Sequence, residues 1–221
     1  MKKIVCLLFL FLLLGGCSSK PTPGWIVAGN QQLEAFKQQF LTGGQPVVTE
    51  RHFRKAVEEI KKSGDLDLLG KAWLTRMALE VAVLREMGEE DYLKVAAAQP
   101  VPANRNFFLF LKGQKGSVDR SLLPAQYRPF FDALLSGNPV KAEQTITAME
   151  DDPLSRLIAA GIAVRFNLET EAILKAAVET ASRNGWKRAL LAWLERLRSF
   201  HEAAGDGARA DAVRLRIDLM K

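Results

Sequence analysis

Cysteine and histidine are scarce in this chain, each occurring twice in 221 residues. Neither Cys6 nor Cys17 lies beyond position 17, so the body of the chain has no disulfide, no thiol nucleophile and no cysteine metal site. His52 and His201 are far apart, and neither belongs to an HExxH arrangement or to a carboxylate cluster with ligand spacing. No serine sits in a GxSxG elbow. Strand signals are equally sparse, because β-branched alternation is not sustained beyond Pro46-Val47-Val48-Thr49. No apolar run reaches the roughly 20 residues needed to span and stay in a bilayer. A strong charge of one sign is also missing. Without residues 1–16, which carry Lys2 and Lys3, the balance is 29 basic against 25 acidic residues, or +4. The two signs are interspersed, as in Arg51-His52-Phe53-Arg54-Lys55-Ala56-Val57-Glu58-Glu59, which describes a solvated face and argues against a nucleic-acid partner.

What is present begins at the N-terminus. Lys2 and Lys3 precede the apolar block Ile4-Val5-Cys6-Leu7-Leu8-Phe9-Leu10-Phe11-Leu12-Leu13-Leu14, which has the length and flanks of a signal-peptide core. It leads into Leu14-Gly15-Gly16-Cys17. This order of a branched apolar residue, two small residues and a cysteine resembles the lipobox of bacterial lipoproteins. The resemblance covers the first 17 residues. It implies that residues 1–16 are removed as a lipoprotein signal peptide and that Cys17, as first residue of the mature chain, carries a diacylglyceryl group and an N-acyl chain. Several acyl chains give a stable anchor at about 0.8 kcal/mol per buried methylene. Ser18 stands where a retention aspartate would sit in the enteric rule, which points to the outer membrane with the domain facing the periplasm. Residues 17–24 are then the lipidated cysteine and a short Pro-rich linker, and residues 25–221 the folded domain.

That domain reads as all-α. Asn30 is placed to cap a first helix through Phe40, and Thr49 to cap a second carrying Phe53, Ala56, Val57 and Ile60. The third, from Leu66 towards Met87-Gly88, is apolar on nearly every side, which marks a central helix. A short helix from Glu89 to Ala98 and the breaker Gln99-Pro100-Val101-Pro102 follow. The aromatic window Asn106-Phe107-Phe108-Leu109-Phe110-Leu111 fits a buried helix, a strand or an exposed recognition surface. Gly113-Gln114-Lys115-Gly116-Ser117 has a phosphate-loop composition without the spacing or the preceding strand, and reads as a loop. Asn138-Pro139 and Asp152-Pro153 each pair a capping side chain with a proline that needs no amide donor; they start helices to about Glu150 and Phe166. A helix from about Glu169 to Asn184 follows. The seam Trp186, Leu190, Trp193, Leu197, Phe200, Ala204 marks the next, and Ala208, Ala212, Leu215 and Leu219 mark the last. The count is ten or eleven helices.

Gly64-Asp65, Gly88-Glu89, Gly137-Asn138 and Gly205-Asp206 each stop one helix and start another. The segment from Ala192-Trp193 through Ala203-Ala204-Gly205 to Leu215 resembles a tetratricopeptide hairpin. The resemblance implies an irregular tetratricopeptide-like solenoid of stacked hairpins, with an irregular helical bundle as the alternative.

No catalytic constellation and no cofactor site emerges. The acidic pairs Glu58-Glu59, Glu89-Glu90-Asp91 and Glu150-Asp151-Asp152 fall at helix ends or solvated faces. Glu80 interrupts the central helix with Arg76 one turn before it, and a buried carboxylate must be paired or shift its pKa. Arg76 and Glu80, with Phe107, Phe108 and Phe110, are the candidate groove or partner contacts. The expected function is a non-catalytic, lipid-anchored scaffold or adaptor for protein or envelope partners. The alternatives are a peptidoglycan hydrolase or its accessory, whose test is whether those five residues share a groove, and a small-ligand or lipid carrier, which needs an apolar cavity.

Overall fold

The computed structural model describes residues 22–221. The signal segment, the Cys17 lipidation site and most of the linker lie outside the described residues. Eleven α-helices and no strand occur among them: α1 (Gly24–Thr42), α2 (Pro46–Lys61), α3 (Leu66–Ala82), α4 (Glu90–Ala98), α5 (Pro102–Leu111), α6 (Arg128–Ser136), α7 (Pro139–Thr147), α8 (Pro153–Arg165), α9 (Glu171–Arg183), α10 (Lys187–Ala203) and α11 (Gly207–Asp218). Three 3-10 turns bridge α5 and α6. None of these helices is long and apolar enough to cross a membrane.

Local chemistry accounts for most helix starts. Asn138 Oδ1 accepts from the amides of Val140 and Lys141 at 3.0 and 3.1 Å, and Asp152 Oδ1 accepts from Ser155 at 3.0 Å. Asp65, Thr170 and Asp206 cap α3, α9 and α11 in the same way. Each satisfies an amide that has no partner inside its helix. Gly43 and Gly137 end α1 and α6 in the left-handed region, at φ 84° and 61°, which a residue without Cβ enters freely.

Two expected caps are wrong by about one turn or more. Asn30 lies inside α1, which starts at Gly24. Thr49 lies inside α2, its hydroxyl donating to the Gln45 carbonyl at 3.0 Å, because Pro46 already supplies a preorganised first position. The end of α3 also moves. The helix stops at Ala82, and Leu84 turns the chain with φ 58°.

The core is organised around two helices. α3 packs on α8 and also touches α1, α2, α4 and α5, while α8 touches α7 and α9. All nine residues from Ser155 to Ala163 are buried. Close approach of the two axes needs small residues, and at Gly161 an added Cβ would lie 2.4 Å from the Val81 carbonyl oxygen. Around this pair, Phe36, Phe53 and Trp73 join α1, α2 and α3 through ring centroids 4.7 and 4.8 Å apart. α9, α10 and α11 pack in chain order, and α10 also meets α1.

Arginines at both ends of α8 fasten neighbouring helix ends. Arg156 is buried and donates to the Ile146 carbonyl at 3.1 Å, the Thr147 carbonyl at 2.6 Å and the Thr180 hydroxyl at 3.3 Å. Arg165 donates to the Leu111 carbonyl at 3.0 Å and to Arg85 at 3.1 Å. The Leu111 and Thr147 carbonyls, left open at the ends of α5 and α7, are thereby satisfied.

Candidate functional site

The five sequence candidates occupy two separate settings. Glu80 is buried on α3 and accepts from the Gly88 amide at 3.1 Å, with Arg76 Nε 3.6 Å from its other oxygen. Arg76 itself forks onto Glu50 at 2.9 and 3.0 Å and lies over the Phe53 ring. The carboxylate therefore holds the loop after α3 in place, and the guanidinium ties α3 to α2. Phe107, Phe108 and Phe110 belong to α5, which settles the aromatic window as a helix. Phe110 is sealed in the core against Tyr127, Phe130 and Phe131. Phe107 borders a shallow cleft with Leu74 and Pro124, and Phe108 stacks on Tyr92 at 4.8 Å. The aromatic contacts share no partner with Arg76 or Glu80.

The other motifs resolve into packing. His52 Nδ1 bonds Gln32 at 2.8 Å, and His201 is buried 3.9 Å from Glu171. Gly113 follows a helix, and its Cα faces the Phe166 ring so closely that a Cβ would come within 2.8 Å; Lys115 lies over the same ring. Among the described residues no group of three or more His, Cys, Asp or Glu side chains is placed to hold a metal ion. Of the acidic pairs, Glu59, Glu89 and Asp91 each meet a lysine, and Asp152 is an N-cap.

A site that the motifs did not announce lies between α4 and α5. The breaker Gln99-Pro100-Val101-Pro102 bends the chain so that the two short helices form the walls of a groove of about 510 Å³. Leu93, Ala96, Val101, Phe108 and Leu109 make its surface apolar, and the buried Tyr92 and the exposed Arg105 also line it. Tyr92 is 2 % exposed, yet its hydroxyl has no hydrogen-bond partner among the described residues. Burial pushes its phenol pKa up, while the positive charge of Arg105 pulls the other way. The Arg105 side chain has no hydrogen bond or ion pair among the described residues either, in contrast to Lys94, held by Asp91 at 3.2 Å, and Lys112, held by Glu89 at 2.8 Å. Of these residues Phe108 is legible in the sequence as part of an aromatic cluster, whereas Tyr92 and Arg105 are not, since an isolated tyrosine and arginine carry no spacing pattern.

A buried hydroxyl without a partner is costly. Tyr92→Phe removes that oxygen and keeps the ring contact with Phe108, so the variant is expected to be more stable by about 1 kcal/mol, seen as a melting temperature higher by about 2–4 °C in circular dichroism. A lower melting temperature would mean that the hydroxyl has a partner after all.

Comparison with protein families, curated proteins and solved structures finds no match for the chain.

Proposed function

We propose that this protein is a lipid-anchored, periplasm-facing helical adaptor that binds protein or envelope partners and catalyses nothing, attached to the outer membrane through Cys17. The carrying observation is Leu14-Gly15-Gly16-Cys17 behind a lysine-led apolar block. The fold is consistent with a domain held close to that surface: α1 starts at Gly24, and the stretch from Cys17 spans at most about 25 Å when extended. Trp25 and Ile26, only partly buried, stand at that end of α1, and tryptophan suits a membrane interface.

The architecture within this reading is an irregular array of tetratricopeptide-like hairpins. It is supported by the sequential packing of α9, α10 and α11 and by the α1–α2 hairpin. Such arrays present extended surfaces to partners. The hydrolase alternative loses its support, because the Arg76–Glu80 pair and the α5 aromatics serve different contacts. The carrier alternative keeps one specific observation, the apolar α4–α5 groove.

Metabolic labelling with a palmitate analogue tests the anchor. Wild type is expected to label and to sediment with membranes, and Cys17→Ala to do neither; equal labelling of the two would end the lipoprotein reading. For the adaptor role, crosslinking in intact cells should return the same envelope partner from replicate preparations of wild type, with loss of that partner when the domain is released from the membrane by Cys17→Ala. Failure to find any reproducible partner counts against it.

A further inference from the structure

The apolar residues that mark α11 in the sequence point away from the domain. Ala208, Ala212, Leu215 and Leu219 are all exposed, Leu215 by 61 % and Leu219 by 79 %. Leu219, one residue past the helix, keeps helical dihedrals. The helix rests on the fold through Ala210 and Ile217 instead, its two buried residues, which lie on the opposite side at 3.6 residues per turn. Spacings of 4, 3 and 4 along the exposed stripe are those of a coiled-coil seam. We propose that this stripe is a self-association surface, on which α11 of one copy packs parallel to and in register with α11 of a second copy. Such pairing needs neither the lipid anchor nor an adaptor role, so it stands or falls separately from them.

The charges beside the stripe choose the occupant and its direction. In heptad terms Ala208 and Leu215 hold d positions, and Ala212 and Leu219 hold a positions. One flank, at e, then carries Arg209 and Arg216, and the other, at g, carries Asp211 and Asp218. A two-fold axis running along parallel helices sets the e flank of each copy against the g flank of the other, where ion pairs fix partner and orientation. Asp211 of one copy thereby meets Arg216 of the other, and the symmetry makes this contact twice. An antiparallel pair brings like flanks together instead, arginine against arginine and aspartate against aspartate. That arrangement is repulsive by about as much as the parallel one is attractive.

The groups involved are free to make these contacts. Arg216 and Asp218 are exposed and have no ion pair among the described residues. Asp211 meets Arg214 at 3.0 Å, but both side chains are exposed, and such a surface pair is exchanged at little cost. Arg209, held by Glu171 and Asp206, ties α11 to its own domain. With both arginines on one side of the leucines and both aspartates on the other, the face is complementary to itself, a property that a surface for an unrelated helix does not require. A face of three turns belongs with the small, reversible interfaces, under about 1,200 Å². The pair is therefore one that forms and dissociates.

Disulfide trapping of the full chain in intact cells tests the pair. Ala212→Cys and Leu219→Cys, both at exposed positions, are oxidised separately with diamide, and wild type, whose cysteines lie at 6 and 17, sets the blank. A parallel, in-register pair places each of these residues beside its own copy, so both variants are expected to give a covalent dimer well above the blank. Arg214→Cys, exposed but off the stripe, is expected to give none. An antiparallel pair has one layer on its axis and traps at most one of the two. In the Ala212→Cys background, Leu215→Lys should lower the trapped fraction about tenfold and Arg216→Asp about threefold, and adding Asp211→Arg to Arg216→Asp should restore most of it. Leu215 and Arg216 are exposed, so these changes leave the fold intact, which unchanged melting temperatures verify. The proposal is overturned if neither or only one of the two cysteines traps a dimer, if Arg214→Cys traps it equally, or if the charge exchange fails to restore it. Trapping of a different protein in place of a second copy overturns it as well.

Discussion

Gly161→Ala is expected to lower the stability of the protein by about 3 kcal/mol, although alanine is the better helix former by about 1 kcal/mol. The new methyl would sit 2.4 Å from the Val81 carbonyl oxygen and 2.9 Å from Val81 Cγ1. Backbone on one side and a β-branched side chain on the other leave no flexible atom to yield, so α3 and α8 must separate. Every element that rests on this pair is affected, because α3 also carries α1, α2, α4 and α5, and α8 carries α7 and α9. For a domain of this size the loss corresponds to roughly 6–12 °C in melting temperature. Gly207→Ala is the matched control. Gly207 is also helical, its Cβ would meet nothing within 4 Å, and its replacement should leave stability within about 0.5 kcal/mol. Equal melting temperatures for the two variants would show that the helices are not in such close contact.

Trp193→Ala should have the largest effect among side-chain truncations. Trp193 is completely buried on α10 and its indole Nε1 donates to the Ala82 carbonyl at 2.9 Å. That carbonyl belongs to the last residue of α3 and has no acceptor role left inside the helix. Truncation removes a large packed ring and this bond together, at about 3–5 kcal/mol. Trp193→Phe separates the two contributions. It keeps most of the apolar contact but leaves the buried Ala82 oxygen unpaired, at about 1–2 kcal/mol. Urea unfolding monitored by circular dichroism reads both. A phenylalanine variant as unstable as the alanine variant would assign the whole effect to the hydrogen bond, and two near-neutral variants would remove Trp193 from the core.

What is legible in the sequence follows the range of the interactions involved. Asn138-Pro139 and Asp152-Pro153 were readable because the capping oxygen, the proline and the amides they serve lie within four residues of one another. Asn30 misled because a good capping residue can also lie inside a helix when the chain upstream, here from Gly24, is already helical. The all-round apolar character of α3 correctly announced a central helix. The comparable run Leu157-Ile158-Ala159-Ala160-Gly161-Ile162-Ala163 carried the same signal for α8, and its small residues could have marked the contact with α3. In the candidate site, Phe108 was legible as part of an aromatic cluster, whereas Tyr92 and Arg105 acquire meaning only from what surrounds them.

By itself, the sequence determined the helical class, most helix boundaries and the burial of α3, since capping, proline placement and apolar periodicity act within a few turns of one chain segment. The tertiary structure decided that α8 is the partner of α3, that α3 stops at Ala82, that Glu80 secures a loop, and that α4 and α5 enclose a groove. Those outcomes depend on which side chains from distant positions meet: Gly161 with Val81, Trp193 with Ala82, Arg165 with Leu111. No local pattern encodes such pairings, because their energy arises from packing and hydrogen bonds that exist only once the helices are assembled.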